Sequence, residues 1–79
     1  MTRRYKLLVI DDHPMFRDGV KTIVRANPAY EIVAEAGTCA EGLALARSLQ
    51  PDLVIVDISL PDGNGIDLAR DILANAPQT

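Results

Sequence analysis

Two short apolar runs in this chain each end in aspartate, and no other feature constrains the fold as strongly. Residues 7–10 (LLVI) lead into Asp11 and Asp12, and residues 53–56 (LVIV) lead into Asp57. Runs that are uncharged and β-branched are typical of strands buried on both faces of a parallel sheet. Because open parallel sheets bind ligands beyond the carboxyl ends of their strands, we expect the three carboxylates to converge there. Crowded carboxylates repel each other, so the cluster favours a hard cation such as Mg²⁺.

The remaining segments carry alternating helix and strand signals. Pro14 suits the first turn of a helix over residues 14–26. The predicted apolar stripe of that helix comprises Phe16, Val20, Ile23 and Val24. Residues 30–36, where Glu31 and Glu35 interrupt Ile and Val, have the pattern of a half-exposed edge strand.

Capping signals mark two further helices. Thr38 and Glu41 form a capping-box pair at the start of a second helix, which Pro51 terminates. Residues 59–64 are predicted to be a loop, and Asn64 caps a third helix. The apolar face of the third helix comprises Leu68, Ala69, Ile72 and Leu73. The resulting βαβαβα order predicts an α/β fold with parallel strands.

Composition narrows the functional classes. The 79 residues include 48% hydrophobic and 24% charged side chains with a net charge of −3, and the basic residues are scattered, so direct nucleic-acid binding by this segment is not expected. Cys39 is the single cysteine, which excludes an intramolecular disulfide. The N-terminus lacks the roughly 7 to 15 apolar residues of a signal peptide, and no run is long enough for a membrane span. We expect a cytoplasmic protein.

Two segments together resemble the receiver domain of two-component response regulators. They are residues 7–14 (LLVIDDHP) and residues 51–65 (PDLVIVDISLPDGNG). The segment 11–19 is most similar to the NarL/FixJ branch, whose receivers are commonly followed by a DNA-binding domain. The resemblance implies a flavodoxin-like (CheY-like) doubly wound parallel sheet, here with only the first three βα units in strand order 2-1-3. Since receivers have roughly 120 residues, we expect residues 1–79 to be a C-terminally incomplete receiver domain.

The resemblance also implies a role for each site residue. Asp57 matches the phosphoacceptor, Asp12 a direct Mg²⁺ ligand, Asp11 an acid that holds the metal through water, and Ser59 the residue whose backbone carbonyl completes the metal site. The implied cofactor is Mg²⁺, the implied partner is a histidine kinase, and the implied output of the full-length protein is transcription regulation. A carboxylate nucleophile agrees with this role if a cation neutralises the transferring group. We expect a phosphoacceptor in signal transduction and not an enzyme.

Two other functions stay open. A phosphohydrolase of the haloacid dehalogenase type also places a nucleophilic Asp after a buried strand, but it requires a second Asp two residues later, where this chain has Ser59. The other is an inactive or self-associating receiver fragment, because the family's Ser or Thr on strand 4 and Lys on strand 5 have no counterpart. His13, beside the acidic pair, is interpreted as a structural residue at a helix start.

The strand order implies an open edge. Without a fourth strand, one side of strand 3 (residues 53–56) has no hydrogen-bonding partner, and its sequence contains no polar residue that would block pairing with another chain. The prediction is a homo-oligomer formed through exposed strand 3 or helix 3.

Overall fold

Helices and strands alternate along residues 4–79, the part of the chain that the computed structural model describes. The elements are β1 (Tyr5–Ile10), α1 (Pro14–Arg25), β2 (Tyr30–Ala36), α2 (Cys39–Leu49), β3 (Leu53–Val56), β4 (Ser59–Leu60), β5 (Gly63–Asn64) and α3 (Gly65–Asn75). The predicted βαβαβα order is therefore confirmed, with two very short additional strands between β3 and α3. None of the helices in this range is long and apolar enough to cross a membrane.

β1 is the central strand of a three-stranded parallel sheet with the order β2-β1-β3. It pairs with β3 in unbroken register, from Leu7 opposite Leu53 to Ile10 opposite Val56. Its register with β2 shifts between Leu7 and Leu8, where β2 has one extra residue, Val33. The predicted strand order 2-1-3 and the parallel α/β class are confirmed.

The sheet has an apolar core on each face. On one face, Leu8 and Ile10 pack in a cluster with buried residues of α2 and α3. On the other face, Leu7 and Val9 pack with Val20 of α1. Because successive side chains of a strand point to opposite faces, both faces of β1 are covered, and none of residues 7–10 is more than 2% exposed.

β3 is less buried than its apolar sequence predicts. Leu53 is 45% exposed, and Val54, Ile55 and Val56 are only half-buried. Within residues 4–79 β3 pairs with β1 alone, so its other edge lies open. An apolar groove runs between this edge and α3, lined by Leu53, Val54, Val56, Ala69, Ile72, Leu73 and Thr79. The expectation of burial on both faces is thus confirmed for β1 and met only in part by β3, in which Val54 and Val56 pack on one face and Ile55 on the other.

The apolar stripe of α1 is only partly used. Val20 is buried and Val24 half-buried against the sheet, whereas Phe16 is 48% and Ile23 is 73% exposed. The periodicity predicted the helix correctly but overstated the width of its buried face. α1 covers the sheet through one edge of its stripe, and no element within residues 4–79 covers the other edge.

The predicted helix caps are present with one local difference. The Thr38 side chain accepts a hydrogen bond from the Glu41 backbone amide, as a capping box requires. The Glu41 carboxylate accepts from the amide of Gly37, one residue before the expected one. At α3, the Asn64 side chain accepts from the amide of Ile66, so the predicted cap is confirmed.

The segment predicted to be a loop after β3 folds into a small antiparallel hairpin. Ser59 pairs with Asn64 and Leu60 with Gly63. The Gly65 amide donates to the Ile58 carbonyl at 2.7 Å and closes the base of the hairpin. The turn-forming residues were recognised from the sequence, but not the pairing between the two arms.

Candidate functional site

Strand pairing places the predicted acidic residues at one end of the sheet. The Asp11 amide donates to the Ala36 carbonyl of β2 at 2.9 Å, and the Asp57 amide donates to the Ile10 carbonyl of β1, also at 2.9 Å. Each aspartate is therefore the first residue after its strand, and its amide is still hydrogen-bonded to the neighbouring strand. Because β1 and β3 run in the same direction, their carboxyl ends lie side by side, and the predicted convergence is observed.

The three carboxylates surround one atom of a fourth side chain. Nδ1 of His13 lies 2.8 Å from Oδ1 of Asp11, 3.1 Å from Oδ1 of Asp12 and 3.6 Å from Oδ2 of Asp57. One ligand atom from each of these four residues lies within 4.8 Å of every other. A single position can therefore contact carboxylate oxygen from both strands.

The carboxylates differ in exposure and in their bonds. Asp11 has 7% of its side chain exposed, and its Oδ1 also accepts from the His13 amide at 2.7 Å. Asp12 is 35% and Asp57 is 23% exposed at the side chain. Asp57 Oδ1 accepts from the Ser59 amide at 3.2 Å. The sheet thus buries one acid and leaves two accessible to solvent.

His13 takes part in the cluster, a contact that the sequence interpretation did not include. It is the N-cap residue of α1, as its interpretation at a helix start implies, but its side chain does not cap the helix. The hydrogen bond to Asp11, with the negative charge of Asp12, raises the pKa of His13 above its ordinary value. Because an ionised carboxylate only accepts hydrogen bonds, Nδ1 of His13 is the donor whenever this contact is made to a carboxylate. The signal in the sequence is adjacency: His13 directly follows the acidic pair.

The donor set fits a hard divalent cation. Three carboxylates supply oxygen ligands, the type that Mg²⁺ and Ca²⁺ prefer. Because all three carboxylates lie close to the same imidazole nitrogen, they converge on a common point. With 68% of its side chain exposed, the His13 ring can swing outward without uncovering the core.

Ser59 meets the site through its backbone. Its amide contacts Asp57, while its side chain is exposed in the β4–β5 hairpin. Gly65, at the other end of the hairpin, packs against the backbone carbonyl of Asp57 so closely that a Cβ there would collide with it. Only a residue without a side chain allows this close approach of the two backbone segments.

Neither lysine of the chain reaches the carboxylates. Lys6 Nζ donates to the Leu49 carbonyl at the opposite end of the sheet, and Lys21 Nζ lies 3.0 Å from Glu35. Among the described cations, Arg17 comes near through Nη1, which donates to the backbone carbonyl of Asp11 at 3.1 Å. Within residues 4–79, the positive charge next to the carboxylate oxygens is that of the His13 ring when protonated.

This fold and acidic site define a receiver domain, and comparison with known proteins gives the same class. The sequence profile of the response regulator receiver domain matches residues 7–79. The chain therefore belongs to the response regulator receiver domain family, a family of signalling domains in two-component systems.

Two relatives indicate the branch within this family. The DNA-binding transcriptional activator DevR/DosR of Mycobacterium tuberculosis is 42% identical over 72 residues, which cover 91% of this chain and 33% of that protein. The nitrate/nitrite response regulator protein NarL of Escherichia coli K12 is 44% identical over 61 residues, covering 77% of this chain and 28% of that protein. The predicted likeness to the NarL branch is confirmed, and the chain spans about a third of the length of these relatives.

A solved structure supports the fold independently. The response regulator domain of Thermotoga maritima CheB superposes with a TM-score of 0.90 at 33% identity, covering 96% of this chain and 57% of that chain. The CheY-like receiver fold is thus confirmed for an arrangement of three βα units in the strand order β2-β1-β3.

Proposed function

We propose that this chain is the phosphoacceptor portion of a two-component response regulator, with Asp57 receiving the phosphoryl group of a histidine kinase. Asp11, Asp12 and Asp57 would hold Mg²⁺ together with the backbone carbonyl of Ser59. The chain would signal by being modified and would not turn over a substrate. In the full-length protein, the modified domain would regulate transcription, as the name of the DevR/DosR relative suggests.

The observation that carries this proposal is the convergence of three carboxylates from two parallel strands on one point. Asp11 and Asp12 follow β1, Asp57 follows β3, and an oxygen of each lies within 3.6 Å of the same nitrogen atom. Acids that only cap helices or terminate strands have no reason to share a focus. A shared focus of anionic oxygens is what binding a small multivalent cation requires.

The exposure of the carboxylates favours Asp57 over Asp11 as the nucleophile, and the family resemblance assigns Asp12 to the metal. Asp11 is nearly buried and already accepts two hydrogen bonds from His13. Asp57 is more open, and its Oδ2 has only the longer 3.6 Å contact to His13. An Asp57 oxygen would form the new P–O bond as the P–N bond of a phosphohistidine breaks, and the leaving imidazole would retain the electron pair and take up a proton.

A bound Mg²⁺ would supply charge neutralisation for the transferring phosphoryl group. Residues of the chain would position the carboxylates. Burial and the hydrogen bond from the His13 amide fix the Asp11 carboxylate, which would help to hold the metal. The Ser59 amide holds Asp57 Oδ1, which leaves Oδ2 as the freer oxygen. Gly65 keeps side-chain atoms away from the Asp57 backbone.

The positions of the lysines limit the expected rate. A cation beside the phosphoryl oxygens would stabilise the charge that builds up during transfer. Lys6 and Lys21 are engaged elsewhere, at Leu49 and Glu35. We therefore expect the 79-residue chain to bind Mg²⁺ and to be phosphorylated only slowly.

Labelling with a small phosphodonor tests the acceptor role. With Mg²⁺ and phosphoramidate, intact mass should show slow gain of a single phosphoryl group by the unmodified chain and none by Asp57→Asn. The amide is nearly isosteric but a far weaker nucleophile, and it removes one charge from the cluster, so the melting temperature should hold or rise slightly. Asp18→Asn, on the exposed side of α1, is the matched control and should label normally. Labelling of Asp57→Asn would refute the assignment.

A Mg²⁺ titration followed by NMR tests the metal site separately. Amide signals of Asp12, Asp57 and Ser59 should shift at millimolar Mg²⁺, whereas those of Lys6 and Leu49 at the other end of the sheet should not. Asp12→Asn should weaken this response. Shifts spread evenly over the acidic surface would indicate nonspecific binding and would contradict the site.

We further propose that the 79-residue chain self-associates through the open edge of β3, with a second copy as the occupant. Leu53 is 45% exposed, and β3 contributes no charged residue to the apolar groove beside α3. Unpaired apolar strand edges are templates for pairing with another chain.

A further inference from the structure

Asp62, at the tip of the β4–β5 hairpin, bonds to a helix far away in the sequence. Its Oδ1 accepts from the Cys39 amide at 2.7 Å, and its Oδ2 accepts from the Ala40 amide at 3.1 Å. Cys39 and Ala40 are the first two residues of α2. Both carboxylate oxygens are therefore used to join the hairpin to the start of this helix.

The local cap of α2 does not make this contact redundant. Thr38 takes the Glu41 amide, which leaves the amides of Cys39 and Ala40 without an intrahelical acceptor. Asp62 supplies acceptors for both and places its charge at the positive end of the helix dipole. These hydrogen bonds lower the pKa of Asp62 below its ordinary value, so the carboxylate is ionised at neutral pH.

The same hairpin connects directly to the phosphoacceptor. At its base, the Ser59 amide bonds to Asp57 Oδ1, and the Gly65 amide bonds to the Ile58 carbonyl. Leu60 is the one hairpin residue that is buried, whereas residues 61–64 are exposed. Apolar burial therefore anchors only one arm of the hairpin.

The hairpin tip also lies close to α2 at the residue after Asp62. A Cβ on Gly63 would lie 3.3 Å from Sγ of Cys39, which is tight contact. The hairpin tip thus bonds to the first turn of α2 through Asp62 and leaves little room for a side chain at the neighbouring Gly63. Loss of the polar contact would free the tip to move away from the helix.

We propose that Asp62 is a positioning residue that fixes the β4–β5 hairpin against α2 and thereby holds Ser59 in place beside Asp57. Asp62 does not touch a metal ion or phosphoryl group in this arrangement and acts through the hairpin. The functional consequence rests on the proposed phosphoacceptor site, since Ser59 is one of its expected metal ligands. α2 thereby becomes a structural support for a site formed by β1 and β3.

A pair of cap variants separates positioning from helix stability. Asp62→Ala removes the tether, that is, the hydrogen bonds from the amides of Cys39 and Ala40 to Asp62. Thr38→Ala removes the other cap of the same helix and leaves the hairpin contacts intact. Both should lower the melting temperature, since both leave first-turn amides without a partner. Only Asp62→Ala should weaken Mg²⁺ binding, by about tenfold, which is the low end for groups that orient metal ligands. Asp62→Asn keeps one acceptor oxygen and should restore part of the affinity.

Metal-free NMR gives the test a readout that does not depend on the proposed function. In Asp62→Ala, the Ser59 and Gly65 amides should shift and exchange faster with solvent, and in Thr38→Ala they should not. Equal effects of the two variants on these amides, or none from Asp62→Ala, would overturn the positioning role. If the unmodified chain failed to bind Mg²⁺ while its Ser59 amide responded to Asp62→Ala, the metal site would be refuted and the tether upheld.

Discussion

β1 and β3 are nearly the same in sequence and very different in environment. LLVI in β1 is completely buried, whereas LVIV in β3 is half-buried, with Leu53 45% exposed. The two strands pair with each other along their full apolar length. What separates them is the second neighbour: β1 has β2 on its other edge, and β3 has none within residues 4–79. An apolar run therefore indicates a strand, but its depth depends on its place in the sheet.

The acids that follow the two strands differ in the same way. Asp11 continues the central strand and is nearly buried, while Asp57 continues the edge strand and stays accessible. This asymmetry suits the proposed division of roles. A buried acid is held rigidly for metal binding, and an open acid can be approached by a partner that carries a phosphoryl group.

The largest expected effect comes from matched leucine truncations in the two strands. Leu8→Ala should destabilise the fold by about 3 kcal/mol, because it leaves a cavity in the closed core between β1 and the helices. Leu53→Ala should cost less than about 1 kcal/mol, since nearly half of the side chain already contacts solvent. Urea unfolding followed by circular dichroism measures both. Equal losses at a concentration where the chain is monomeric would show that residues of the same chain cover β3.

Replacement of a close-packed glycine beside each strand should have the next largest effect. Gly65→Ala places a methyl group against the rigid backbone carbonyl of Asp57 and should cost about 2 to 3 kcal/mol. Gly42→Ala approaches the side chain of Ile10, whose terminal Cδ1 is the nearest atom and can shift more easily than backbone, so it should cost about 1 kcal/mol.

The control for both glycine variants is Gly19→Ala in α1, which has open space around it and should stabilise the helix by roughly 0.5 to 1 kcal/mol. The NMR signal of the Asp57 amide should move in Gly65→Ala alone. If Gly42→Ala proved the more damaging variant, the close approach at Gly65 would not constrain the site as described.

Because one edge of β3 is open, we predict that the chain has the mass of an oligomer in solution. The 79-residue chain should run as a dimer or larger species at micromolar concentration in size-exclusion chromatography with light scattering. Leu53→Lys should shift it toward monomer, because a charge on an edge strand opposes pairing with a second copy. Ile23→Lys in α1, which packs on the opposite face of the sheet, changes a residue that is 73% exposed and is the control that should leave the mass unchanged. A monodisperse, cooperatively melting monomer of 8.6 kDa would contradict the prediction.

The smallest expected effect is the pH dependence of the stability that Asp62 contributes, in the hairpin that follows β3. The Asp62 pKa is lower in the folded chain than its ordinary value of 3.8, so its stabilising contribution is complete above 3.8 and is lost as the pH falls through the folded pKa. The melting temperature of Asp62→Asn should lie a few degrees below that of the unmodified chain at neutral pH, and the difference should shrink at acid pH. Asp67→Asn, an exposed acid of α3, should show no such convergence. A constant difference at every pH would mean that the Asp62 charge is not involved.

Much of the fold is predictable because its signals are local. The bounds of β2, the start of α1 at Pro14, and the caps at Thr38 and Asn64 follow from residue types within a few positions of each other. The site acids are predictable for a related reason. Each ends an apolar run, and parallel strands bring their carboxyl ends to one edge.

Other features depend on residues distant in the chain. Asp62 and Cys39 are 23 positions apart, and no local pattern pairs a turn aspartate with the first turn of an earlier helix. The exposure of Phe16 and Ile23 likewise depends on which elements lie beside α1 and not on its periodicity. The His13 ring meets Asp57 only because β1 and β3 are neighbours.

The sequence by itself determined the kind of protein: the alternation of strands and helices, the parallel sheet, the family, and the acids that form its site. The order of strands, helices and site acids along the chain follows from local propensity and short motifs. Only the tertiary structure decided that β1 is covered on both sides, that β3 has an open edge, and that the hairpin after Asp57 is joined to α2. Burial and long-range hydrogen bonds depend on what packs beside a residue in space, and two similar apolar runs can have different neighbours.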